Sequence, residues 1–281
     1  VHGRGTEDGT IQGYLQMIGI PYVSNNIYSS VICQDKVFSK QLLEFNEIPT
    51  VRYVWFFDNE YKRNKEELFK KIDKLDYPLI VKPATLGSSI GIRTVKQKEE
   101  LDTIINEVLK YDRKVIVEEL IDDVLEYNIS ILKTNDKLYI SSIEEIETDL
   151  DYLEYNDKCN LENYLNGNII RNVPAKIPEK MSSEIIELAK KTINFLNNTG
   201  LSRVDFLYDK KKKKLYVDEI NSIPTCFSHH LWEDANISYK ELLNIMINDT
   251  IKNVNKDSEM ITTMDMDVLK DLKNSDIKEY K

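Results

Sequence analysis

Polar side chains in the C-terminal half of the chain have the types and spacing of a magnesium site. Arg203 and Asp205 are two residues apart, as are Glu219 and Asn221, and side chains at that spacing on a β-strand point to one face. The lysine run Lys210–Lys214 between them is polar and turn-like, which predicts an antiparallel hairpin. Hard oxygen donors, completed by substrate phosphates, are how proteins usually hold magnesium. A strand with a wet, acidic face is the alternative that the spacing leaves open.

A lysine and a glycine loop earlier in the chain could serve the phosphates of the same complex. Lys82 closes an apolar strand, and Gly87-Ser88-Ser89-Ile90-Gly91 follows it. The glycines allow successive N–H groups to face an anion, and the serine hydroxyls add donors. The loop matches neither a P-loop nor a dinucleotide fingerprint, so a surface turn is the alternative. Lys82 favours the phosphate site, because a lysine ending a buried strand reaches water or meets a negative partner. Cation, loop and acids together are what an ATP-dependent ligase needs.

Alternating helical and strand patterns must position these residues, and they predict α/β and α+β units. The predicted helices are Lys36–Phe45, Lys62–Leu75, Lys96–Tyr111, Glu179–Asn198 with Gly200 as C-cap, and Tyr239–Asn253. A strand is predicted over Val51–Phe57, and a hairpin joins Glu126–Leu132 to Lys137–Ile143. The polar segment Asp149–Asn172 is predicted to be a long loop, functional or disordered.

Composition indicates the class of protein. The 281 residues are 41% hydrophobic and 31% charged, enough for two compact domains. No apolar run approaches the ~20 residues of a membrane span, and the net charge of −10 argues against a nucleic-acid partner. Cys33, Cys159 and Cys226 lack the spacing of a zinc site or a disulfide framework, which fits a reducing, cytoplasmic location.

Several motifs in order give the chain a resemblance to the D-alanine–D-alanine ligase family of the ATP-grasp superfamily. The motifs are His2–Gly13, Gly19–Val23, Asp35–Lys40, Lys82–Gly91, Val117–Glu119, Arg203–Asp205 and Glu219–Pro224. The resemblance implies an ATP-grasp fold, in which two α+β subdomains clamp ATP. It also implies an activity: the carboxylate of one D-alanine is phosphorylated, and the amine of a second attacks the acyl phosphate. This reaction supplies peptidoglycan precursors.

The resemblance also implies roles for single residues. The nucleotide would be bound by Lys36, Lys82, Gly87 and Ser89 at the phosphates, by Glu118, Glu119 and Leu120 at the adenine, and by Glu126 at the ribose. Two Mg²⁺ ions, replaceable by Mn²⁺, would be held by Asp205, Glu219 and Asn221. Catalysis and substrate binding would involve Arg203, Ser88, the lid lysine Lys158, His2, Glu7, His230 and Leu231.

The resemblance is weakest where the second, acceptor substrate would bind. Thr225 stands where the family usually has a glycine whose N–H is part of the oxyanion site, and threonine disfavours the backbone angles that glycine allows. His230 stands at the serine that binds the acceptor carboxylate, and Cys159 replaces a tyrosine in the lid. Two interpretations follow: a divergent enzyme that still uses D-alanine, or a changed acceptor such as D-lactate or D-serine, since histidine can pair with a carboxylate.

The predicted organisation has four parts. Residues 1–30 are a remnant of an N-terminal substrate domain, 31–120 and 121–255 are the central and C-terminal ATP-grasp subdomains, and 256–281 are a charged tail. Because only a last helix and strand (Thr10–Val23) stand for the N-terminal domain, the chain is expected to be a fragment or a truncated product. A homodimer is expected, with D-alanine and ATP as small-molecule partners. The alternatives are an ATP-grasp ligase for a larger substrate and a nucleotide-binding protein without catalysis.

Overall fold

The computed structural model describes residues 3–87, 89–148, 169–259 and 261. His2, Ser88, Lys158 and Cys159 therefore lie outside the described residues. The helices are α1 (Thr10–Met17), α2 (Ile27–Gln34), α3 (Lys36–Phe45), α4 (Asp58–Ile72), α5 (Leu101–Val108), α6 (Glu179–Phe195), α7 (His229–Asp234) and α8 (Tyr239–Ser258). The strands are β1 (Tyr53–Phe57), β2 (Leu79–Pro83), β3 (Arg93–Val95), β4 (Lys114–Glu119), β5 (Val124–Lys133), β6 (Leu138–Thr148), β7 (Ile169–Asn172), β8 (Gly200–Asp209) and β9 (Lys214–Asn221).

The first sheet is antiparallel, with strand order β1-β4-β2-β3. Side chains alternate between its faces. One face carries Val81 and Val117, which pack with Leu68 of α4 and Ile105 of α5 in one apolar core. The alternate positions, Lys82 among them, point to the other face. Every residue of β2 is buried, so Lys82 has to meet partners inside the protein.

The second sheet has the order β7-β6-β5-β8-β9. Its apolar face carries Ile129, Val204 and Val217, which pack against α6 residues such as Ile185 in the largest core of the described residues. The pairing of β8 with β9 shifts between Asp205 and Phe206: Asp205 pairs with Glu219 but Phe206 pairs with Val217. Asp218 is therefore the extra residue of a β-bulge, a feature that redirects side chains next to functional sites.

Most predicted elements are present. The helix Lys36–Phe45 begins and ends where expected, and the two strands around the lysine run pair as an antiparallel hairpin. The strand that carries Lys82, which ends one residue later at Pro83, and the hairpin of β5 with β6 are also confirmed. The mixed architecture of helices with two β-sheets is confirmed as well.

Several boundaries differ from the predictions. Gly200 is not the C-cap of α6, which ends at Phe195; it opens β8, and a Cβ there would lie 3.0 Å from the Ser24 carbonyl oxygen. Gly19–Val23, expected as a strand, is not paired with any strand of the described residues. Pro21 in this segment has no N–H to donate to a neighbouring strand. The end of the predicted long loop is the edge strand β7, and α8 continues to Ser258 into the predicted tail. The helix expected over Lys96–Tyr111 is a 3₁₀ turn followed by the shorter α5.

None of the helices in the described ranges combines the length and the apolar character that crossing a membrane requires.

Candidate active site

A row of polar side chains crosses the second sheet on the face opposite α6. The register pairs Glu144 with Asn128, Asn128 with Asp205, and Asp205 with Glu219. Strands in a sheet lie about 4.8 Å apart, so this polar row is about 14 Å long. The row forms because each of these positions alternates with an apolar residue that enters the core. It brings together residues that are up to 91 positions apart in the chain (219 minus 128).

Asp205 is the centre of the polar row. Arg203 donates two hydrogen bonds to it, Nε to Oδ1 at 2.6 Å and Nη2 to Oδ2 at 2.8 Å. The Asn221 amide donates to Oδ2 at 2.9 Å. Burial alone would lower the pKa of Arg203, but the Asp205 carboxylate outweighs it and the pKa is raised. The Asp205 carboxylate is therefore held in place by Arg203 and Asn221 together.

Asp205, Glu219 and Asn221 fit a divalent cation by the chemistry of their oxygens. Two carboxylates and an amide carbonyl on adjacent strands are hard donors of the kind magnesium takes. Among the described residues, no three His, Cys, Asp or Glu side chains could hold a metal by themselves. Phosphate or water oxygens would have to complete the coordination, which is typical of magnesium bound with a nucleotide.

Three lysines face the Glu219 end of the polar row from the first sheet and α3. Lys36 Nζ lies 3.1 Å from Glu219 Oε1 and donates to the Leu86 carbonyl oxygen at 2.8 Å. Lys82 Nζ and Lys40 Nζ lie 2.7 and 2.9 Å from the two oxygens of Glu118. Asp218 approaches the same two ammonium groups at 3.5 and 3.6 Å. We call these residues the lysine cluster: Lys36, Lys40, Lys82, Glu118, Asp218 and Glu219.

Burial and charge oppose each other in the lysine cluster, and charge prevails. Burial acts to lower the pKa of Lys82, but the carboxylates of Asp218 and Glu118 raise it above its ordinary value. Burial acts to raise the pKa of Glu118, but Lys40 and Lys82 hold it below its ordinary value. Lys82 and Glu118 are therefore both ionised at neutral pH, in a region where opposite charges attract strongly.

Helix α3 carries Lys36 and Lys40 on one face because they are four residues apart. The helix starts at Asp35, whose side chain accepts from the Val37 and Phe38 N–H groups. Lys114 Nζ of β4 lies 2.7 Å from the Asp35 carboxylate, in a buried ion pair. This pair anchors α3 to the first sheet and so positions both lysines.

The segment expected at the adenine already uses its N–H groups within the protein. Glu119 N–H donates to Arg52 O at 3.1 Å, and Leu120 N–H donates to Pro78 O at 3.0 Å. The Glu119 carboxylate accepts from Arg52 Nη1 at 2.6 Å. Contacts of these two residues with an adenine would therefore have to use their carbonyl oxygens.

His230 lies at the other end of the polar row. Its Nε2 is 3.2 Å from Glu144 Oε1, which also accepts from Arg171 Nη1 at 2.9 Å. Asn128 donates to the second Glu144 oxygen at 3.2 Å. Burial alone would raise the pKa of Glu144, but His230 and Arg171 lower it to about 2. Leu231, the neighbouring candidate, is fully buried.

The turn before His230 has an unusual backbone. Thr225 is not left-handed, contrary to the strain expected at that position; Cys226, Phe227 and Ser228 have φ of 49°, 54° and 50° instead. Left-handed conformations in non-glycine residues are costly and concentrate at functional sites. The strain predicted for one residue is thus distributed over the three residues that follow it.

The remaining candidates are more scattered. Glu7 lies in the N-terminal turn, where it accepts from Gly3 N–H at 2.6 Å. The largest effects on the pKa of Arg203 are burial, which lowers it, and Asp205, which raises it. Glu126 is near enough to raise this pKa further. A separate cavity of about 960 Å³ lies between the segment after α1, the start of β8 and α8; none of the predicted site residues lines it.

Sequence reasoning missed Lys40, Asp218, Glu144 and Arg171. The spacing of Lys40 from Lys36 on one helix face was a usable signal. Asp218 carried none, because on a regular strand it would point away from Glu219, and only the bulge turns it toward the lysines.

Comparison with known proteins accords with this geometry. Residues 42–248 match the family model described as the D-ala D-ala ligase C-terminus. A D-alanine–D-alanine ligase of Thermoanaerobacter sp. is 38% identical over 260 residues, covering 91% of this chain and 70% of the relative. The chain belongs to the D-alanine–D-alanine ligase family.

Other members agree in sequence and in structure. The D-alanine–D-alanine ligase of Enterococcus faecalis is 36% identical, covering 88% of this chain and 70% of its own length. The crystal structure of the VanG D-Ala:D-Ser ligase from Enterococcus faecalis superposes with a TM-score of 0.75 at 31% identity, covering 89% of this chain and 71% of that one. The Bacillus anthracis D-alanine–D-alanine ligase complexed with ATP has a TM-score of 0.73 at 26% identity, covering 92% and 79%. The family has the ATP-grasp fold, as predicted, and an ATP complex is known in it.

Proposed function

We propose that the chain is an ATP-dependent ligase that joins two D-alanines into D-alanyl-D-alanine for peptidoglycan synthesis. The observation that carries the proposal is the polar row, which runs from the lysine cluster to His230 past Arg203 and Asp205. One face of the second sheet thus offers cations for phosphates, oxygens for magnesium and a separate place for an acceptor. Membership of the D-alanine–D-alanine ligase family supports the same reaction.

The first step is phosphoryl transfer. A carboxylate oxygen of the first D-alanine attacks the γ-phosphorus of ATP, the bond to the β-γ bridging oxygen breaks, and acyl phosphate and ADP result. Lys36 and Lys82 hold the phosphates in line, and positioning of this kind supplies most of the catalysis in such transfers. Asp205, Glu219 and Asn221 would hold magnesium, two ions in the proposed arrangement, with manganese as a substitute. The metal supplies neutralisation of charge on the phosphate oxygens.

The second step joins the amino acids. The neutral amine of the acceptor attacks the acyl carbon, the nitrogen loses a proton, and phosphate leaves from the tetrahedral intermediate. Arg203 is fixed by two hydrogen bonds to Asp205, so its charge is preorganised for the developing oxyanion. Gly87 and Ser89 are proposed at the phosphates, and Glu119, Leu120 and Glu126 at the nucleoside. Glu118, expected at the adenine, has both oxygens paired with Lys40 and Lys82, so we propose that it acts through these lysines. Glu7, His230 and Leu231 are proposed at the amino-acid substrates, as are His2, Ser88 and Lys158 outside the described residues.

A second candidate is a ligase with another acceptor, favoured by one observation. His230 and Arg171 flank Glu144 where the acceptor would bind, so this end presents a charged group of each sign. The VanG D-Ala:D-Ser ligase among its structural relatives makes D-serine a reasonable acceptor to test. We further propose that the protein is cytoplasmic and that it forms a homodimer. Sedimentation of the purified protein would test the homodimer.

The experiment is phosphate release from MgATP with D-alanine alone, and with D-alanine plus D-serine or D-lactate. Mass spectrometry of the products identifies the acceptor. Release with D-alanine alone and a D-alanyl-D-alanine product supports the first proposal, and a mixed product supports the second. Nucleotide binding without release for any acid would support a nucleotide-binding protein without catalysis.

A further inference from the structure

Asp218 reaches the lysine cluster from the second sheet. It is the extra residue of the β8–β9 bulge, where the pairing of the two strands shifts by one residue. Its carboxylate lies 3.5 Å from Lys82 Nζ and 3.6 Å from Lys40 Nζ. It is thus a negative group inside the site that the lysines would otherwise offer to phosphate.

Glu118 and Asp218 bind the same lysines in different ways. Glu118 belongs to the same sheet as Lys82, lies at 2.7 and 2.9 Å from the two ammonium groups, and has a side chain only 1% exposed. Asp218 makes the longer contacts, and its side chain is 20% exposed. Longer, wetter ion pairs are weaker. Glu118 is therefore the permanent partner of the lysines, and Asp218 is the one that another anion can displace.

The formal charges of the lysine cluster cancel. Lys36, Lys40 and Lys82 supply three positive charges, and Glu118, Asp218 and Glu219 supply three negative charges. An incoming phosphate gains little from a neutral cluster unless one carboxylate moves away. Of the two carboxylates that contact Lys82, Asp218 makes the longer contact and has the more exposed side chain.

We propose that Asp218 lowers the affinity for ATP by occupying, on Lys82, the place that a phosphate oxygen takes when the nucleotide binds. The inference rests on the proposed nucleotide site and adds a residue that determines affinity. On binding, the phosphate replaces the Asp218 carboxylate at Lys82, and Asp218 turns toward solvent. Glu118 keeps its contacts with both lysines throughout.

The test measures binding of the magnesium complex of a non-hydrolysable ATP analogue, adenylyl imidodiphosphate, by calorimetry. Asp218→Asn removes the competing charge at nearly constant volume and should lower Kd about tenfold, the effect of one partly screened charge. Asp218→Glu keeps the carboxylate and should bind like the unmodified protein. The matched control is Asp123→Asn, which removes one charge from an exposed pair with Lys210 (2.6 Å) and should leave Kd unchanged.

A Kd for Asp218→Asn that is equal to or higher than that of the unmodified protein would overturn the proposal. If that variant does not fold, Lys40→Met/Asp218→Asn keeps the cluster neutral, and its Kd is compared with that of Lys40→Met. Tighter binding by the double variant supports the proposal, and equal binding overturns it.

The ligase function is measured separately, as phosphate release that depends on D-alanine. Tighter analogue binding without such release would sustain the role of Asp218 and refute the ligase function. Absence of analogue binding in every variant would refute both.

Discussion

Glu219 lies where the polar row meets the lysine cluster. Its proposed role as a metal ligand can be tested separately from its contribution to stability. Glu219→Gln preserves shape but removes a charge that would hold magnesium. Loss of a metal ligand should lower D-alanine-dependent phosphate release at least about a hundredfold. Because the Lys36–Glu219 pair is partly exposed, unfolding free energy should fall by only about 1 kcal/mol. Glu187→Gln, which breaks an exposed helical pair with Lys190, is the matched control. Normal turnover by Glu219→Gln would refute the metal role.

Glu144 links pH to stability. Its pKa falls from 4.5 to about 2 on folding, so the folded state binds its proton less readily than the unfolded chain. A depressed carboxyl pKa stabilises the fold above pH 4.5, and that contribution is lost as pH falls toward 2. The difference is about 3 kcal/mol. Glu144→Gln should therefore be less stable than the unmodified protein at pH 7, with a gap that closes between pH 4.5 and 2. Urea unfolding across pH measures this, and a gap that did not change with pH would contradict it.

The turn between β9 and α7 is an element whose strain is local and testable. The left-handed conformation of a non-glycine residue destabilises the folded state by about 1–2 kcal/mol. A glycine avoids this strain but gives the unfolded chain more conformational freedom, which lowers stability by about 0.5–1 kcal/mol. Cys226 is exposed and has φ of 49°, so Cys226→Gly should stabilise the fold by about 0.5–1 kcal/mol. Thermal unfolding gives the sign. Cys226→Val, with a branched Cβ, should have the opposite effect; if both variants were destabilised, the strain would not be local to this residue.

Ion pairs join the two sheets of the whole molecule at this site. Lys36 to Glu219 and Lys82 to Asp218 join the α3 and first-sheet side to the second sheet, and a nucleotide would bind between them. MgATP should therefore raise the free energy of unfolding by mass action, by about 2.7 kcal/mol at a concentration one hundred times Kd. The melting temperature Tm should rise with it. Lys82→Met should abolish the shift, and Lys190→Met, which removes an exposed helical charge, should retain it. No shift with the unmodified protein at millimolar MgATP would refute nucleotide binding.

Local sequence rules were sufficient for the elements that carry their own signal. The helix Lys36–Phe45 has apolar periodicity and Asp35 as its N-cap, and the β8–β9 hairpin has alternation on both sides of a polar turn. The residue types of Asp205, Glu219 and Asn221, two to a strand, already indicated one face and hard ligands. Motif order alone identified the family. Apart from the order of the motifs, each of these properties depends on residues close together in the chain.

Only the tertiary structure decided which distant groups meet. Register across strands placed Glu144 and Glu219 at opposite ends of one row, and a single extra residue turned Asp218 toward Lys40 and Lys82. Long-range packing likewise gave His230 the partner Glu144, which also binds Arg171, and moved the strain expected at Thr225 onto Cys226, Phe227 and Ser228. The physical reason is that a one-residue shift in pairing reverses which face a side chain occupies, and pairing is set by the whole sheet rather than by either strand.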